Sequence, residues 1–419
     1  MHVLLVTTGV AGDVHPFLST GAALVRRGHL VTLASDGGYR AFAERAGLGF
    51  ASLGAAPGPN DLSERTRREM TKPGKASIAY LRDIVGPRLV PMFRVLDAMC
   101  SRDRPDVIAC HHTAFCVPWV ARRHEIPWAM GAVAPGSLPS VEEPNMYPGM
   151  PDRDRYPRWS IRLGMALATR SIARAVDPAI NRARAELGMD PGRRFLFDEM
   201  LSGGATLGFW SRTFRAEAGD DPRGTHIVGF PWFDGAADDA WRLPIERFLA
   251  GGEAPVLVTM GTSVPHAVKP MLAAAARACA ALGRRALLLA GRAEFIPEGL
   301  GPHAMAMAYA PIGEVLPRCA SAIHHGGLGT LARCLRAGVP MICVPHLHDQ
   351  FDNARRARML GVSITLRASR ATEAGFAEAL QRLLHSTPMR EASRRVALAM
   401  GDEDGGEGAA SVLEGLASG

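Results

Sequence analysis

The sequence predicts an α/β protein with two Rossmann-like domains, each built on a parallel sheet. Strand-like and helix-like segments alternate through roughly the first 55 residues and again from residue 255, which is the rhythm of βαβ units. The chain has 419 residues, which is long for one core and sufficient for two domains of roughly 200 residues each. Hydrophobic residues make up 47% of the chain and charged residues 21%, so each domain can bury a core.

The first series of βαβ units opens the chain. We predict strand 3–8, helix 16–27, strand 30–34 and helix 39–46, followed by strand-like segments at 107–109 and 128–132. Pro16 at a helix start and Gly28 just past the helix end agree with the usual positions of these residues. The stretches 57–75 and 135–156 are rich in proline, glycine and charge, and long loops at this edge of a sheet usually shape a substrate pocket.

A second series begins at Pro255. It contains strands 256–260, 285–290, 305–309, 320–323 and 341–344, and helices 266–282 and 331–336. The stretch before it is punctuated by glycine, proline and aspartate and is predicted to be a linker. The predicted division is an N-terminal domain at 1–232, a linker at 233–252, a C-terminal domain at 253–390, and a helix and tail at 391–419.

Composition and charge argue against several classes of protein. The net charge is +7, but the arginines are spread along the chain without interleaved aromatics, unlike a nucleic-acid-binding surface. No apolar run reaches the ~18–20 residues of a membrane span, and the first residues form a strand-like segment without a basic leader. Seven cysteines without paired spacing indicate a reducing compartment. We therefore expect a cytoplasmic protein with a weak attraction to anionic membrane surfaces.

The most informative segment is the glycine turn after strand 320–323. It reads His324-His325-Gly326-Gly327-Leu328-Gly329-Thr330 and leads into helix 331–336. A helix start after such a turn offers unpaired backbone N–H groups and the positive end of the helix dipole, which suits a pyrophosphate. Glycine lets the backbone approach the anion, and an imidazole can donate a directional hydrogen bond. We predict that the ligand contacts here are His325, Gly327, Gly329 and Thr330.

Two further groups of polar residues follow predicted strands. His348-Asp349-Gln350 stands after strand 341–344, where ligands of parallel sheets bind, and a carboxylate beside an amide suits sugar hydroxyls. Asp13 and His15 lie in the loop after the first strand and are candidate catalytic residues; in the structural alternative, Asp13 caps the helix and His15 lies on its surface. This loop lacks the G-x-G-x-x-G pattern, which weakens a dinucleotide interpretation.

The run from His325 to Gln350 resembles the nucleotide-sugar signature of the family 1 glycosyltransferases. Asp13 and the double histidine are most similar to the group of that family that acts in rhamnolipid synthesis and on sterols and antibiotics. The resemblance implies the GT-B fold, in which two Rossmann-like domains face a cleft, and transfer of a sugar with inversion. It also implies that the helix and tail at 391–419 return to the N-terminal domain. It also implies that Asp13 stands at the position of the catalytic base, with His15 as the alternative, and that Gly12 is among the donor contacts.

The resemblance assigns further donor contacts. Thr262 and Ser263 match small hydroxyl positions near the phosphates, and Tyr309 and Ile312 lie in the turn that binds the base. Arg333 stands where many relatives place a glutamate that binds both ribose hydroxyls. A guanidinium only donates hydrogen bonds, so a donor whose sugar lacks one of those hydroxyls, a dTDP-sugar, is favoured over a UDP-sugar.

Several other residues have more than one interpretation. His111 and His112 end a sheet strand and are candidates for acceptor binding, with a buried structural role as the alternative. Nearby cysteines and the Asp-Arg-Asp at 152–154 have metal-friendly residue types but lack zinc spacing or a strand end, so we expect no metal. Residues 159–175 mix apolar side chains with arginines and indicate either a covering helix or a surface that meets lipid or an apolar acceptor.

Together these features predict a glycosyltransferase that needs no metal or other cofactor. It would move a deoxyhexose such as rhamnose, or glucose, from a dTDP- or UDP-sugar to a hydroxyl of a small lipophilic acceptor such as a natural product or lipid. The alternatives of the same fold are a lipid-linked glycosyltransferase and a nucleotide-sugar epimerase. The alternative from a different class is an NAD-dependent oxidoreductase.

Overall fold

The computed structural model describes residues 1–55, 62–72, 74–146, 156–233, 239–261 and 265–419. The chain forms two compact units. The first contains Met1–Phe233 together with Glu403–Gly419, and the second contains Asp234–Asp402.

The first unit is built on a parallel sheet. Its strands are β1 (His2–Val6), β2 (Leu30–Ser35), β3 (Gly49–Ser52), β4 (Val107–His111), β5 (Trp128–Ala132), β6 (Ala205–Gly208) and β7 (Thr225–Ile227). Their order across the sheet is β3-β2-β1-β4-β5-β6-β7, and all pairings are parallel. The order of strands reverses between the neighbours β1 and β4, and ligands of such sheets bind beyond the carboxyl ends of the strands at that point.

Helices connect these strands. They are α1 (Ala11–Arg26), α2 (Arg40–Arg45), α3 (Glu64–Met70), α4 (Ala76–Tyr80), α5 (Gly86–Arg102), α6 (Val117–His124) and α7 (Arg158–Glu186). Helix α1 begins at Ala11 rather than at residue 16, and Pro16 lies inside it. The first turn forms because the Asp13 carboxylate accepts a hydrogen bond from the N–H of Val10, which satisfies an end donor of the helix.

The second unit repeats the same winding. Its strands are β8 (Val256–Thr259), β9 (Ala286–Leu289), β10 (Ala304–Met307), β11 (Ser321–His324), β12 (Met341–Cys343) and β13 (Ser363–Thr365), in the order β10-β9-β8-β11-β12-β13. Its helices are α8 (Arg242–Ala250), α9 (Pro265–Ala281), α10 (Ile312–Val315), α11 (Leu328–Ala337), α12 (Gln350–Met359), α13 (Glu373–Leu384) and α14 (Thr387–Met400). The reversal here lies between β8 and β11, so the loops that follow these two strands are neighbours.

The last helix, α15 (Gly405–Ser418), belongs to the first unit. It packs on α1 and buries Ala409, Ala410 and Leu413 in the core beside β1 and β4. Arg27 on α1 pairs with Glu407 and Glu414 on α15.

The boundaries differ from the predicted division in two places. Helix α8 lies inside the predicted linker 233–252 but belongs to the second unit, where its Ile245 and Leu249 are buried. Helix α14 lies mostly in the predicted tail 391–419 but also belongs to the second unit, because it packs on α11. Within the described ranges, no helix is both long and apolar enough to cross a bilayer.

Candidate active site

Asp13 lies at the strand-order reversal of the first unit. It stands in the first turn of α1, directly after β1, and its side chain is 25% exposed. One carboxylate oxygen, Oδ2, accepts a hydrogen bond from the N–H of Val10 at 3.0 Å, and the Thr7 hydroxyl donates to the Asp13 carbonyl at 2.8 Å. The other oxygen, Oδ1, lies 3.5 Å from Nε2 of His111 at the end of β4. Asp13 therefore caps the helix and still presents one carboxylate oxygen to the site.

His111 is buried and oriented by Thr113. Its Nδ1 lies 2.8 Å from the Thr113 hydroxyl and 3.4 Å from the Thr113 backbone N–H. Because a backbone N–H only donates, we assign Nδ1 as an acceptor, which places the imidazole proton on Nε2. That proton faces the Asp13 carboxylate. The structure thus joins a predicted catalytic residue and a predicted acceptor-binding residue in one pair.

His112 stacks on His111, with ring centroids 4.1 Å apart. Its backbone N–H donates to the carbonyl of Gly131 on β5. Burial lowers the pKa of His112 well below its ordinary value, and the adjacent imidazole of His111 lowers it further. His112 is therefore neutral at physiological pH, where it supports the His111 ring.

His15 is turned away from this pair. Residues two apart on a helix differ by about 200° in direction, so His15 and Asp13 lie on different faces of α1. The His15 ring packs edge-on against Phe233, with centroids 5.2 Å apart, and near Phe42 at 6.1 Å. The structure places this candidate base in an aromatic cluster.

Asp36 holds the loop that precedes Asp13. Its Oδ2 accepts a hydrogen bond from the N–H of Gly9 at 3.0 Å, and its Oδ1 forms an ion pair with Arg88 on α5. In a dinucleotide site this carboxylate would bind a ribose hydroxyl. Here both oxygens already have protein partners, which removes the main support for a dinucleotide interpretation.

Two tyrosines near Asp13 were not predicted. Tyr39 donates from its hydroxyl to the Gly9 carbonyl at 3.2 Å, and Tyr80 ends α4 immediately before the π-helical turn Leu81–Val85. Burial raises the pKa of both hydroxyls above the ordinary range, and the negative charge of Asp13 raises them further. Isolated π-helical turns are frequent at functional sites, but the sequence around Tyr80 carries no such signal.

In the second unit, His325 is held between two glycines. A Cβ atom added to Gly261 would lie 2.4 Å from Cε1 of the imidazole, and one added to Gly327 would lie 2.3 Å from Nε2. Gly261 follows β8 and Gly327 follows β11, the neighbours at the strand-order reversal. Only glycine at both positions leaves space for the ring. The predicted anion-binding residue is therefore fixed by its packing.

His324 and His325 are both buried and neutral. Burial is the main cause, and it lowers the pKa of His324 to about 3 and that of His325 to about 4. Nδ1 of His324 accepts a hydrogen bond from the N–H of Gly326 at 3.0 Å, which orders the turn. His325 therefore meets a ligand as a neutral imidazole that donates from a single nitrogen.

These two histidines make the stability of the second unit depend on pH. Their pKa values in the folded protein lie below the value of about 6.5 expected in the unfolded chain. Their contribution to the free energy of unfolding is therefore fully present above that pH and is lost as the pH falls toward 4. We expect the free energy of unfolding to decrease between pH 7 and pH 5. In His324→Asn the decrease should be smaller by on the order of 1–2 kcal/mol. Denaturant melts of both proteins at the two pH values would measure the difference, and equal decreases would contradict it.

The turn after β11 leaves donors for an anion. Helix α11 begins at Leu328. The first backbone N–H that bonds within the helix is that of Leu331, which donates to the carbonyl of the N-cap residue, Gly327. The N–H groups of the first turn, at Leu328, Gly329 and Thr330, precede the first helical bond and point out of the helix end. With the dipole of α11 they form the predicted anion-binding position beside His325.

Asp349 and Gln350 are held by protein contacts. The Gln350 amide oxygen accepts hydrogen bonds from the N–H groups of His346 at 2.8 Å and Leu347 at 3.1 Å, and the residue is buried. Asn353, which was not predicted, donates from Nδ2 to the Asp349 carboxylate at 2.6 Å and to the Gly326 carbonyl at 3.1 Å. Gln350 therefore shapes its own loop, while Asn353 ties Asp349 to the glycine turn.

Gly12, a further predicted donor contact, lies exposed in the first turn of α1 in the first unit. The remaining predicted donor contacts divide into two groups. Tyr309 exposes 49% of its surface and Ile312 begins α10, which leaves the tyrosine ring accessible for stacking. Thr262 and Ser263 lie outside the described residues, as does the Asp-Arg-Asp at 152–154. Among the side chains that the structure describes, no group of three or more histidine, cysteine, aspartate or glutamate residues could hold a metal ion.

Two family models match parts of the chain. The glycosyltransferase family 28 N-terminal domain matches residues 3–85, and the C-terminal domain of erythromycin biosynthesis protein CIII-like proteins matches residues 296–410. The chain is 29% identical to the O-mycaminosyltylonolide 6-deoxyallosyltransferase of Streptomyces fradiae, over 99% of this chain and 97% of the relative. The two matched segments contain Asp13 and the glycine turn with His325, the centres of the two candidate sites.

Solved structures share the whole architecture. The glycosyltransferase of kitacinnamycin superposes with a TM-score of 0.75 at 22% identity and covers 99% of this chain and 98% of that one. The glycosyltransferase VinC, solved in complex with dTDP, superposes with a TM-score of 0.69 at 18% identity over 100% of both chains. At these identities the likeness concerns the fold. With the sequence matches and the two parallel-sheet units, it shows that the chain is an enzyme of the family 1 glycosyltransferases with the GT-B fold.

Proposed function

We propose that this glycosyltransferase moves a deoxyhexose such as rhamnose, or glucose, from a dTDP-sugar to a hydroxyl of a small lipophilic natural product, with inversion. The main support is His325, fixed between Gly261 and Gly327 beside the open N–H groups of α11. A neutral donor with a cluster of backbone N–H groups suits a diphosphate better than it suits a neutral ligand. The Streptomyces fradiae relative is named for deoxysugar transfer, and VinC was solved with dTDP.

At the donor, the proposed task of the second unit is to stabilise the leaving group. The bond between the anomeric carbon and the diphosphate oxygen breaks, and negative charge develops on that oxygen. His325 and the first-turn N–H groups of α11 would donate hydrogen bonds to the diphosphate, and Asp349 would accept from sugar hydroxyls. No metal or other cofactor is assigned a role.

At the acceptor, the proposed base is Asp13. An aliphatic hydroxyl is a far weaker acid than a carboxylic acid, so the hydroxyl cannot lose its proton before it attacks. The oxygen forms its bond to the anomeric carbon while the diphosphate leaves, and its proton passes to the Asp13 carboxylate in the same step. Attack on the face opposite to the diphosphate inverts the anomeric carbon. The Nε2–H of His111 would keep Asp13 oriented during this step.

The test of the proposed function is direct. Incubation with a dTDP-deoxyhexose and a panel of polyketide and sterol alcohols should release dTDP only with some acceptors, and the product should carry the inverted anomeric configuration by NMR. An epimerase would instead change the donor without an acceptor, and a lipid-linked glycosyltransferase would require a polyprenyl diphosphate acceptor. Either result would replace the proposal.

The preference for dTDP over UDP makes a separate prediction. Arg333 reaches back along α11, and its Nη1 donates to the Gly329 carbonyl at 3.1 Å, so its guanidinium lies at the donor end of the helix. We expect dTDP to raise the thermal unfolding midpoint more than UDP does. Arg333→Glu adds an acceptor for ribose hydroxyls and should reverse the preference, by roughly tenfold in Kd. Arg336→Glu is the charge-matched control, and an unchanged preference in Arg333→Glu would remove this residue from donor selection.

A further inference from the structure

Three large apolar side chains of helix α7 project into solvent. Trp159 is 69% exposed, Leu163 54% and Leu167 57%. Residues four apart on a helix differ by only about 40° in direction, so the three form one continuous stripe. In the described part of the chain, every other helix carries at most one large apolar side chain as exposed as these. The stripe is therefore a specific feature of α7.

The same face of α7 is positively charged. By the helical spacing, Arg170 and Arg174 lie within the angular range of the stripe, and Arg158 and Arg162 flank it. The chain has no acidic residue from 156 to 176. The nearest acidic group with a measured contact is Glu142, which lies 3.8 Å from Arg158. Three of the four arginines thus have no ion-pair partner among the described residues.

A groove continues the surface on the neighbouring side of α7. It is a cavity of about 580 Å³ lined by both apolar side chains and arginines. Its lining includes Arg162, Met165, Ala166, Phe197, Leu201 and Arg223. One acidic side chain, Asp220, also lines it, but that carboxylate already accepts hydrogen bonds from Ser140 and Val141.

We propose that the exposed face of α7 docks onto a bilayer that contains anionic lipids. Trp159 can lie at the level of the lipid headgroups, and the leucines can lie at the boundary with the acyl chains. The aliphatic part of each arginine can lie along apolar surface while its guanidinium group binds a lipid phosphate. An apolar stripe bordered by arginines and without acidic residues is the pattern of an interfacial helix on anionic lipid. The face runs from Arg158 to Arg174, which corresponds to about 24 Å along the helix axis.

The experiment is flotation of the full chain with vesicles, without any substrate. The vesicles consist of phosphatidylcholine alone or of phosphatidylcholine mixed with an equal amount of phosphatidylglycerol. We expect partitioning into the anionic vesicles to exceed that into the neutral ones by at least about tenfold at low salt and to decrease as salt is added. No difference between the two vesicles would overturn the proposal, whatever the outcome for glycosyl transfer.

Two triple variants separate this face from the general positive charge of the chain. Trp159→Gln with Leu163→Gln and Leu167→Gln should lower partitioning about tenfold, and Arg162→Gln with Arg170→Gln and Arg174→Gln should do the same. The matched controls replace exposed residues elsewhere with glutamine, namely Leu30, Leu243 and Leu398 in one variant and Arg382, Arg394 and Arg395 in the other. Both controls should bind like the wild type. An equal loss in the arginine control would assign binding to net charge and overturn the proposal.

Thermal unfolding with dTDP provides the check on folding. All four variants should keep the nucleotide-dependent shift of the wild type, because none of the replaced residues belongs to the proposed donor site. A loss of vesicle binding in the α7 variants with an unchanged shift supports docking through this face. Wild-type binding in the α7 variants would place the contact elsewhere.

Discussion

Replacing His325 with alanine is expected to lower kcat by about 10²- to 10³-fold, the usual effect of removing one fixed donor from a developing oxyanion. The imidazole is neutral, buried and clamped by Gly261 and Gly327, so no solvent reorganisation is needed when charge appears on the diphosphate. Affinity for dTDP should fall much less than kcat, because the first-turn N–H groups of α11 remain. Steady-state kinetics and calorimetric dTDP titration together measure the two effects.

Two further variants make this prediction specific. His303→Ala removes an exposed histidine of the same unit and should leave kcat unchanged. Gly327→Ala keeps His325 but places a methyl group 2.3 Å from its Nε2, so the ring must move, and kcat should fall in the same direction. Wild-type turnover in His325→Ala would remove the imidazole from leaving-group stabilisation.

The second large effect is expected at Asp13. Asp13→Asn keeps the size of the side chain and its acceptor for the Val10 N–H but cannot take a proton, so kcat should fall by roughly 10²-fold. We expect the loss at His325 to be at least as large, because a concerted step depends more on the leaving group than on early proton removal. Nucleotide affinity should not change. Turnover of Asp13→Asn at the wild-type rate would end its assignment as the base.

Replacing His111 should cause part of the loss of kcat that is expected for Asp13→Asn. Its Nε2 lies 3.5 Å from the carboxylate, so His111→Ala removes the donor that orients the base and should lower kcat about tenfold. The double variant should be little worse than Asp13→Asn alone, because His111 acts through Asp13. His226→Ala, an exposed histidine of the same unit, is the control. Additive losses would show that His111 acts separately, for example by binding the acceptor.

Much of the fold was predictable because the sequence pattern of a parallel strand is contained in the strand and the residues next to it. Strand β5 has the predicted limits, 128–132, and the five strands predicted in the second series lie within one or two residues of β8 to β12, whereas β13 was not predicted. Buried parallel strands are short apolar runs bounded by glycine and proline, and both signals are local. The same reasoning placed Asp13 and the His325 turn at strand ends. The agreement therefore covers β1, β2, β4 and β5 of the first sheet and β8 to β12 of the second.

The elements that were missed depend on distant partners. Strand β7 is only partly buried and has three residues, so its pattern is too short to read. Tyr80, Arg88 and Asn353 lie on helices, and their roles come from residues distant in sequence: Tyr80 senses the charge of Asp13, Arg88 pairs with Asp36, and Asn353 donates to the carbonyl of Gly326. The amide oxygen of Gln350 is bonded to the backbone of its own loop, a contact that sequence spacing does not show, and its binding to sugar stays a prediction. Sequence spacing identifies where such residues lie but not which neighbour each one contacts.

The position of α15 has a consequence for how the protein is made. Residues 1–233 leave the ribosome long before residues 405–418, but the apolar core of α1 and the central strands also includes Ala409, Ala410 and Leu413 of α15. The apolar core of the first unit therefore stays partly exposed while the second unit is translated. During that interval, the nascent chain exposes a hydrophobic surface that chaperones can recognise.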